Sequence, residues 1–234
     1  MFRPVFAIAT AAVLLGGCHF ESGPPGEPVM EKRSVDAGKV EIVRVDLSLG
    51  AGELRLTGGG DKLMEGEFRY DSRTEKPDIR YETTGFRGRL NIKSGAQAAI
   101  GPKEGDRWAV QLGGGVPMDL HVRLGAGEGK LKLAGLTPRS VEIEMGAGEL
   151  ELDLRGRWER DFNVQIRGGV GQATVHLPRD VGVAAVAHGG IGEIKVTGLT
   201  KRGSQWVNDQ FETARTTVRV DVRGGVGQIN LIGE

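Results

Sequence analysis

The chain has 234 residues, 38% of them apolar, with 31 lysines and arginines balanced by 31 aspartates and glutamates. It can bury the core of one or two domains but has no basic field to attract nucleic acid. Glycine supplies 39 residues, far above its usual share of ~7%, and most of it recurs at hinges and turns, so it signals architecture and not disorder.

In chain order, residues 1–17 set Arg3 ahead of an apolar run from Val5 to Leu15. This reads as a secretory signal and is too short to span a bilayer. Leu15-Gly16-Gly17-Cys18 resembles the bacterial lipobox, in which small residues admit the signal peptidase and the cysteine becomes the lipidated first residue. That resemblance implies lipid attachment at Cys18, the only cysteine, and a mature chain with no disulfide and no thiol nucleophile. The protein is then exported and membrane-anchored through acyl chains, each buried methylene contributing about 0.8 kcal/mol. His19 stands where retention in the inner membrane uses Asp, so the resemblance implies the outer membrane in a cell that has one, facing the periplasm or the cell surface. The rest of residues 18–38 includes Pro24, Pro25 and Pro28 without periodicity and reads as a semi-rigid spacer.

From Val45 onward one unit occurs six times: alternating aliphatics, then Gly-x-Gly, then Glu or Gln, then further alternating aliphatics. The paired hinge glycines are Gly50 and Gly52, Gly125 and Gly127, Gly146 and Gly148, Gly169 and Gly171, Gly190 and Gly192, and Gly225 and Gly227. Apolar residues fall five, three and one positions before the first glycine and four and six after it. Period-2 alternation predicts a strand on both sides, with one face buried. The inward parity slips by one residue across the hinge, so the chain must bend there for both halves to face one core. Successive hinges are 75, 21, 23, 21 and 35 residues apart. Coils of about 21 residues, stacked at about 4.8 Å, describe an all-β, solenoid-like fold of the single-stranded β-helix type. An antiparallel sandwich is the other fold with regular short strands. Leu49, Leu124 and Met145 precede alanine-centred hinges, whereas Gly168, Gly189 and Gly224 precede Val170, Ile191 and Val226. The exchange predicts that the two positions share one interior space.

The long first interval predicts an antiparallel β subdomain, with strands near 66–70, 79–83, 87–93 and 108–112 and an exposed loop at 94–107. The organisation is therefore a β subdomain at 39–118, including the first repeat, and a repeat domain at 119–234 with an insertion at 201–215. Gly113-Gly114-Gly115 has neither the Lys-Ser/Thr nor the helix that a phosphate loop needs, and reads as a turn. The insertion holds Trp206, Val207 and Phe211, too apolar for a free loop, and reads as a flap over the open end of the stack.

The lipobox, the Gly-Ala-Gly-Glu repeats, the Gly115-Val116-Pro117-Met118-Asp119-Leu120 entry and the Trp206-Val207-Asn208-Asp209-Gln210-Phe211 insertion together resemble the bacterial toast-rack family. These are secreted or lipid-anchored β-repeat proteins, related to the C-terminal domain of LiaF-like envelope stress proteins and to adhesin-type repeat domains. The resemblance implies an envelope role, in stress response or adhesion, and brings no catalytic residues. One departure is Gly129, which stands where other copies carry an aliphatic residue and weakens that coil.

Each hinge is followed by a polar residue: Glu53, Glu128, Glu149, Gln172, Glu193 or Gln228. Stacked in register these form a ladder, either accepting from hinge N–H groups or capturing a divalent cation or glycan, with Glu128 and Glu149 the pair to test. His121, His176 and His188 share no metal-ligand spacing and sit at outward parity, which reads as solvated surface. Trp158, in an arginine-rich turn, is a sugar-stacking or a loop-packing residue. No acid pair or nucleophile stands out, so the expectation is a protein without enzymatic activity, metal or cofactor. Its expected partners are the membrane, through the lipid, and an envelope protein or cell-wall polymer, with self-association through sheet edges.

Overall fold

The computed structural model describes residues 27–73, 76–95 and 105–234; the secretory signal and Cys18 lie outside the described residues. The strands are β1 (Pro28–Val35), β2 (Ile42–Gly60), β3 (Met64–Asp71), β4 (Asp78–Thr84), β5 (Arg87–Lys93), β6 (Asp106–Gly113), β7 (Met118–Lys132), β8 (Pro138–Asp153), β9 (Phe162–Leu177), β10 (Gly182–Thr197), β11 (Thr200–Arg202), β12 (Gln205–Val207) and β13 (Thr217–Gly233). They form one sheet in the order β1-β3-β6-β2-β7-β8-β9-β13-β10-β12-β11, with β5 also on β2 and β4 on β5.

The six repeats are the six long strands, which pair parallel and hinge on hinge. Ala51 faces Ala126, Ala126 faces Ala147, and the file continues through Val170, Val226 and Ile191. The stacked all-β architecture expected from the parity slip is therefore present. Each strand bends at its glycine pair because nothing larger fits. Gly148 has φ +128°, and a Cβ there would lie 1.9 Å from the Gly127 carbonyl oxygen. The equivalent contact is 2.0 Å at Gly127 and 1.8 Å at Gly171. First-position glycines from Gly125 onward rest on the preceding carbonyl in the same way, as at Gly146, 2.3 Å from Gly125 O. Each coil thus seats its corner on the backbone of the one before.

The two halves of every bent strand turn their alternating aliphatics toward each other. Val43, Val45 and Leu47 before the first hinge and Leu54 and Leu56 after it are all buried, each side chain contributing about 1.5–3 kcal/mol. The third side of the coil is closed by connectors, whose Leu133, Leu136, Leu154, Trp158 and Val181 are also buried, as is Leu177 at the end of β9. Trp158 is a loop-packing residue: its indole N–H donates to Leu154 O at 2.8 Å, and its ring meets Phe162 edge-on at 4.9 Å. Gly113 and Gly114 lie against the Lys62 and Gly135 carbonyls, and the Thr137 hydroxyl donates to Gly114 O at 2.7 Å, which makes this run a packed turn.

Four features depart from the sequence expectations. The sixth repeat, β13, enters between β9 and β10, so the stack does not follow chain order. The antiparallel pairing expected in the first interval is present, β3 with β6 and β4 with β5, but β5 and β6 also run parallel to the two halves of β2, which was not expected. Leu90 and Ile92 align with Val45 and Leu47, and Trp108 and Val110 with Leu54 and Leu56. These two strands are the halves of a seventh coil; of the loop expected at 94–107, residues 106–107 belong to β6 and 96–104 lie outside the described residues. Residues 28–35, read as spacer, form β1 through antiparallel pairing with β3 and the Lys32–Glu67 ion pair; partner backbone, not apolar periodicity, makes this strand. Finally, Leu49, Leu124 and Met145 are buried, whereas Val170, Ile191 and Val226 are exposed, so the exchanged positions do not share one space. The residue before the hinge instead meets the one four positions after it. Leu124 Cδ1 lies 2.5 Å from where a Cβ on Gly129 would sit, so Leu124 occupies the space that Gly129 leaves.

Candidate functional site

Ahead of the hinge, the outward residues of neighbouring coils interleave charges. Asp46 accepts from Arg44 Nε at 3.0 Å and lies 3.4 Å from Arg89, while Glu144 lies 3.3 Å from Arg123 and 3.6 Å from Arg167. His121 sits between these carboxylates, Nδ1 3.5 Å from Asp46 and Nε2 3.9 Å from Glu144. It is buried, contrary to the surface expectation, because the charged side chains around it cover the outward position. His176 is partly buried, with Nδ1 2.7 Å from Glu234; His188 is exposed.

After the hinge the polar ladder is complete and in register, in the order Glu53, Glu128, Glu149, Gln172, Gln228, Glu193. Its members do not reach back to the hinge. Most pair with the residue two positions on, which shares their face. Glu53 meets Arg55 at 2.6 Å, Glu128 meets Lys130 at 2.5 Å and Glu193 meets Lys195 at 3.1 Å. Gln228 donates to Asn230 at 2.8 Å, and Gln172 to the Thr174 hydroxyl at 3.4 Å. Alternation along a strand explains this: residues i and i+2 are nearer than a backbone N–H tucked into the bend. Among the described residues no three His, Cys, Asp or Glu side chains group as a metal site would require.

The feature that sequence reasoning missed lies at the hinge itself in the last three coils. Gly168, Gly189 and Gly224 leave empty the position that Leu49, Leu124 and Met145 fill. The result is an apolar slot of about 40 Å³ beside Met145, Ile166 and Ala173. Drug-sized ligands need ~300 Å³ or more, so the slot admits only the tip of a side chain. Above it Val170, Val226 and Ile191 form an in-register ridge, 58, 46 and 75% exposed. The signal was visible in the large-for-small exchange across the hinge, but it marks an exposed face and not a shared interior.

A stack whose every long coil is one strand folded over a glycine pair, with polar files outside and an apolar ridge at one corner, defines a class of β-repeat protein. A family model for the N-terminal domain of toast_rack (DUF2154) matches residues 25–176, and the chain belongs to the toast-rack family. The crystal structure of a putative cell adhesion protein from Clostridium sporogenes is 30% identical, with a TM-score of 0.84 over 89% of this chain and 100% of that one. A putative adhesin from Bacteroides fragilis aligns over 88% of this chain and 97% of its own, at 10% identity and a TM-score of 0.30. No curated protein matches the chain.

Proposed function

We propose that this is a non-enzymatic, lipid-anchored protein of the bacterial cell envelope whose stacked body serves as an interaction surface, in stress response or adhesion. The observation that carries this reading is the ridge of Val170, Val226 and Ile191 over its slot. Aliphatic side chains turned out from consecutive coils form a patch of the kind that marks contact sites. Aliphatic shape with no aromatic platform suits a protein partner better than a cell-wall polymer. Similarity to the putative cell adhesion protein of C. sporogenes supports the envelope setting, as does the resemblance of Leu15–Cys18 to a lipobox.

Crosslinking in cells followed by mass spectrometry tests it. Val170→Ser with Ile191→Ser should abolish capture of an envelope partner while leaving the melting curve unchanged; capture that ignores the ridge, or fragments released from labelled peptidoglycan, would overturn the reading. Cys18→Ala should move the protein from the membrane fraction to a soluble or unprocessed form, and a variant still membrane-bound and processed would remove the lipid anchor. A second reading, a divalent cation or glycan on the ladder, is favoured by Glu128 and Glu149 facing each other in register. A Ca²⁺- and EDTA-sensitive melting shift, lost in Glu128→Gln with Glu149→Gln, would support the cation; a shift absent in the parent removes it.

A further inference from the structure

The stack is finished at one end and only half finished at the other. β12 covers β10 at Ala184 and Ala185 alone, so among the described residues no strand lies against the outer edge of β10 from Val186 to Thr197. The interior side of that half-strand is only partly covered: Val196 packs against the core, but Ile194 does not sink into it. Ile194 is 40% exposed, whereas Leu54, Leu150 and Ile229, at the same place in other coils, are buried at 0, 3 and 4%. Terminal coils of stacked-repeat proteins need a polar cap, and free edges are ordinarily blunted by charge or shortness. The other edges here obey that rule. β1 carries Glu31, Lys32 and Arg33, β4 carries Asp78, Arg80 and Glu82, and β11 is only Thr-Lys-Arg. The open half of β10 reads Gly-Ile-Gly-Glu-Ile-Lys-Val from Gly190 to Val196, where the charges are Glu193 and Lys195, of opposite sign and two residues apart.

That segment complements itself. We propose that it pairs antiparallel with the same segment of a second copy of this chain, about a two-fold axis at Ile194. Glu193 then stands opposite Lys195 of the second copy, and Lys195 opposite Glu193 of the second copy. The two Ile194 side chains meet on the interior face. Moving the axis one residue either way sets Lys195 against Lys195 or Glu193 against Glu193, so charge selects this register. Both side chains already lie together on the outward face, Lys195 Nζ 3.1 Å from Glu193 Oε2, and pairing would join them into an alternating set of four. The contact is isologous and closes at the dimer. Each copy supplies the half-cap the other lacks; of the ridge, Ile191 falls within the paired segment and Val170 and Val226 fall outside it.

Sedimentation equilibrium of the full chain over a concentration series tests this, with melting curves to confirm that exposed substitutions leave the fold intact. A pairing this short belongs with weak interfaces. Glu193→Lys and Lys195→Glu should each weaken the dimer roughly tenfold to thirtyfold. The double exchange Glu193→Lys with Lys195→Glu should restore it, and an equimolar mixture of the two single variants should form a heterodimer. A chain monomeric at every concentration, a dimer indifferent to either single change, or a double exchange that fails to restore pairing would each overturn the proposal. The ridge is tested apart from this pairing by Val170→Ser alone, since Val170 lies in β9, outside the paired segment.

Discussion

A single methyl group at position 148 is enough to test why the coil bends. Gly148 combines φ +128° with a Cβ position 1.9 Å from the Gly127 carbonyl oxygen, so Gly148→Ala must open the register of two coils as well as adopt a backbone that L-residues avoid. We expect a loss of about 3 kcal/mol or more in urea unfolding. Gly50 occupies a first hinge position but among the described residues meets only the Ser94 hydroxyl, at 3.5 Å, with no positive φ. Gly50→Ala should therefore stay within about 1 kcal/mol of the parent; equal losses at both sites would refute the seating of each corner on the last. The hinges were legible because a slip in period-2 parity demands a bend wherever a pair of glycines coincides with it. His121 was not, because parity reports which side a residue faces and not what lies over it, here Asp46 and Glu144.

Between elements, the entry of β13 depends on a few polar ties that hydrophobic periodicity does not announce. Asp161, just ahead of β9, accepts from the Thr217 N–H at 2.8 Å and from Arg219 at 3.1 Å, holding the start of β13. The Thr217 backbone bond, followed by that from Arg219, holds its carboxyl below the usual carboxylate range. A depressed folded-state value means stabilisation that is present above the unfolded pKa, about 3.9, and lost as pH falls through the lower folded value. Asp161→Asn should thus cost about 1 kcal/mol at pH 7, and the gap in urea midpoint should narrow progressively as pH falls below the unfolded value; a gap that does not narrow with acid would contradict this role. The flap is tied by Asn208, which accepts from the Val183 N–H at 2.9 Å and donates to the Val181 and Pro178 carbonyls at 2.7 and 3.2 Å. Asn208→Ala leaves those groups unpaired, and we expect a loss of about 2 kcal/mol with proteolysis appearing first within 201–215; unchanged cleavage would show that apolar packing alone holds the flap. The flap was legible as a cap from Trp206, Val207 and Phe211. Its half coverage and the inserted order were not, because the fourth, fifth and sixth repeats share the same hinge chemistry, and neighbour choice among them rests on connectors and Asp161. The seventh coil stayed hidden because its sequence lacks the Gly-x-Gly pair by which every other coil is recognised.

As a whole, the molecule is one sheet wound round one core, with two unlike ends. At the N-terminal end the stack is closed by the divided coil of β5 and β6 and by β3, whose Phe68 meets Trp108 edge-on at 5.3 Å. At the other, β10 keeps an open half-edge beside the ridge. All-β class and stacking were readable in the sequence, since six copies of one parity slip require six equivalent bends around a common interior. A sandwich, the alternative, lacks the parallel hinge-on-hinge register that the strands display. The central claim is that register and its order, and spin-label distances measure it most directly, with Cys18 replaced by serine and pairs of labels at Ala51 with Val226 and Ala51 with Ile191. At about 4.8 Å per strand, four steps place the first pair near ~19 Å and five place the second near ~24 Å. Distances in the reverse order would mean that the coils stack as they follow in the chain, and distances unrelated to strand spacing would mean that the hinges do not form a file.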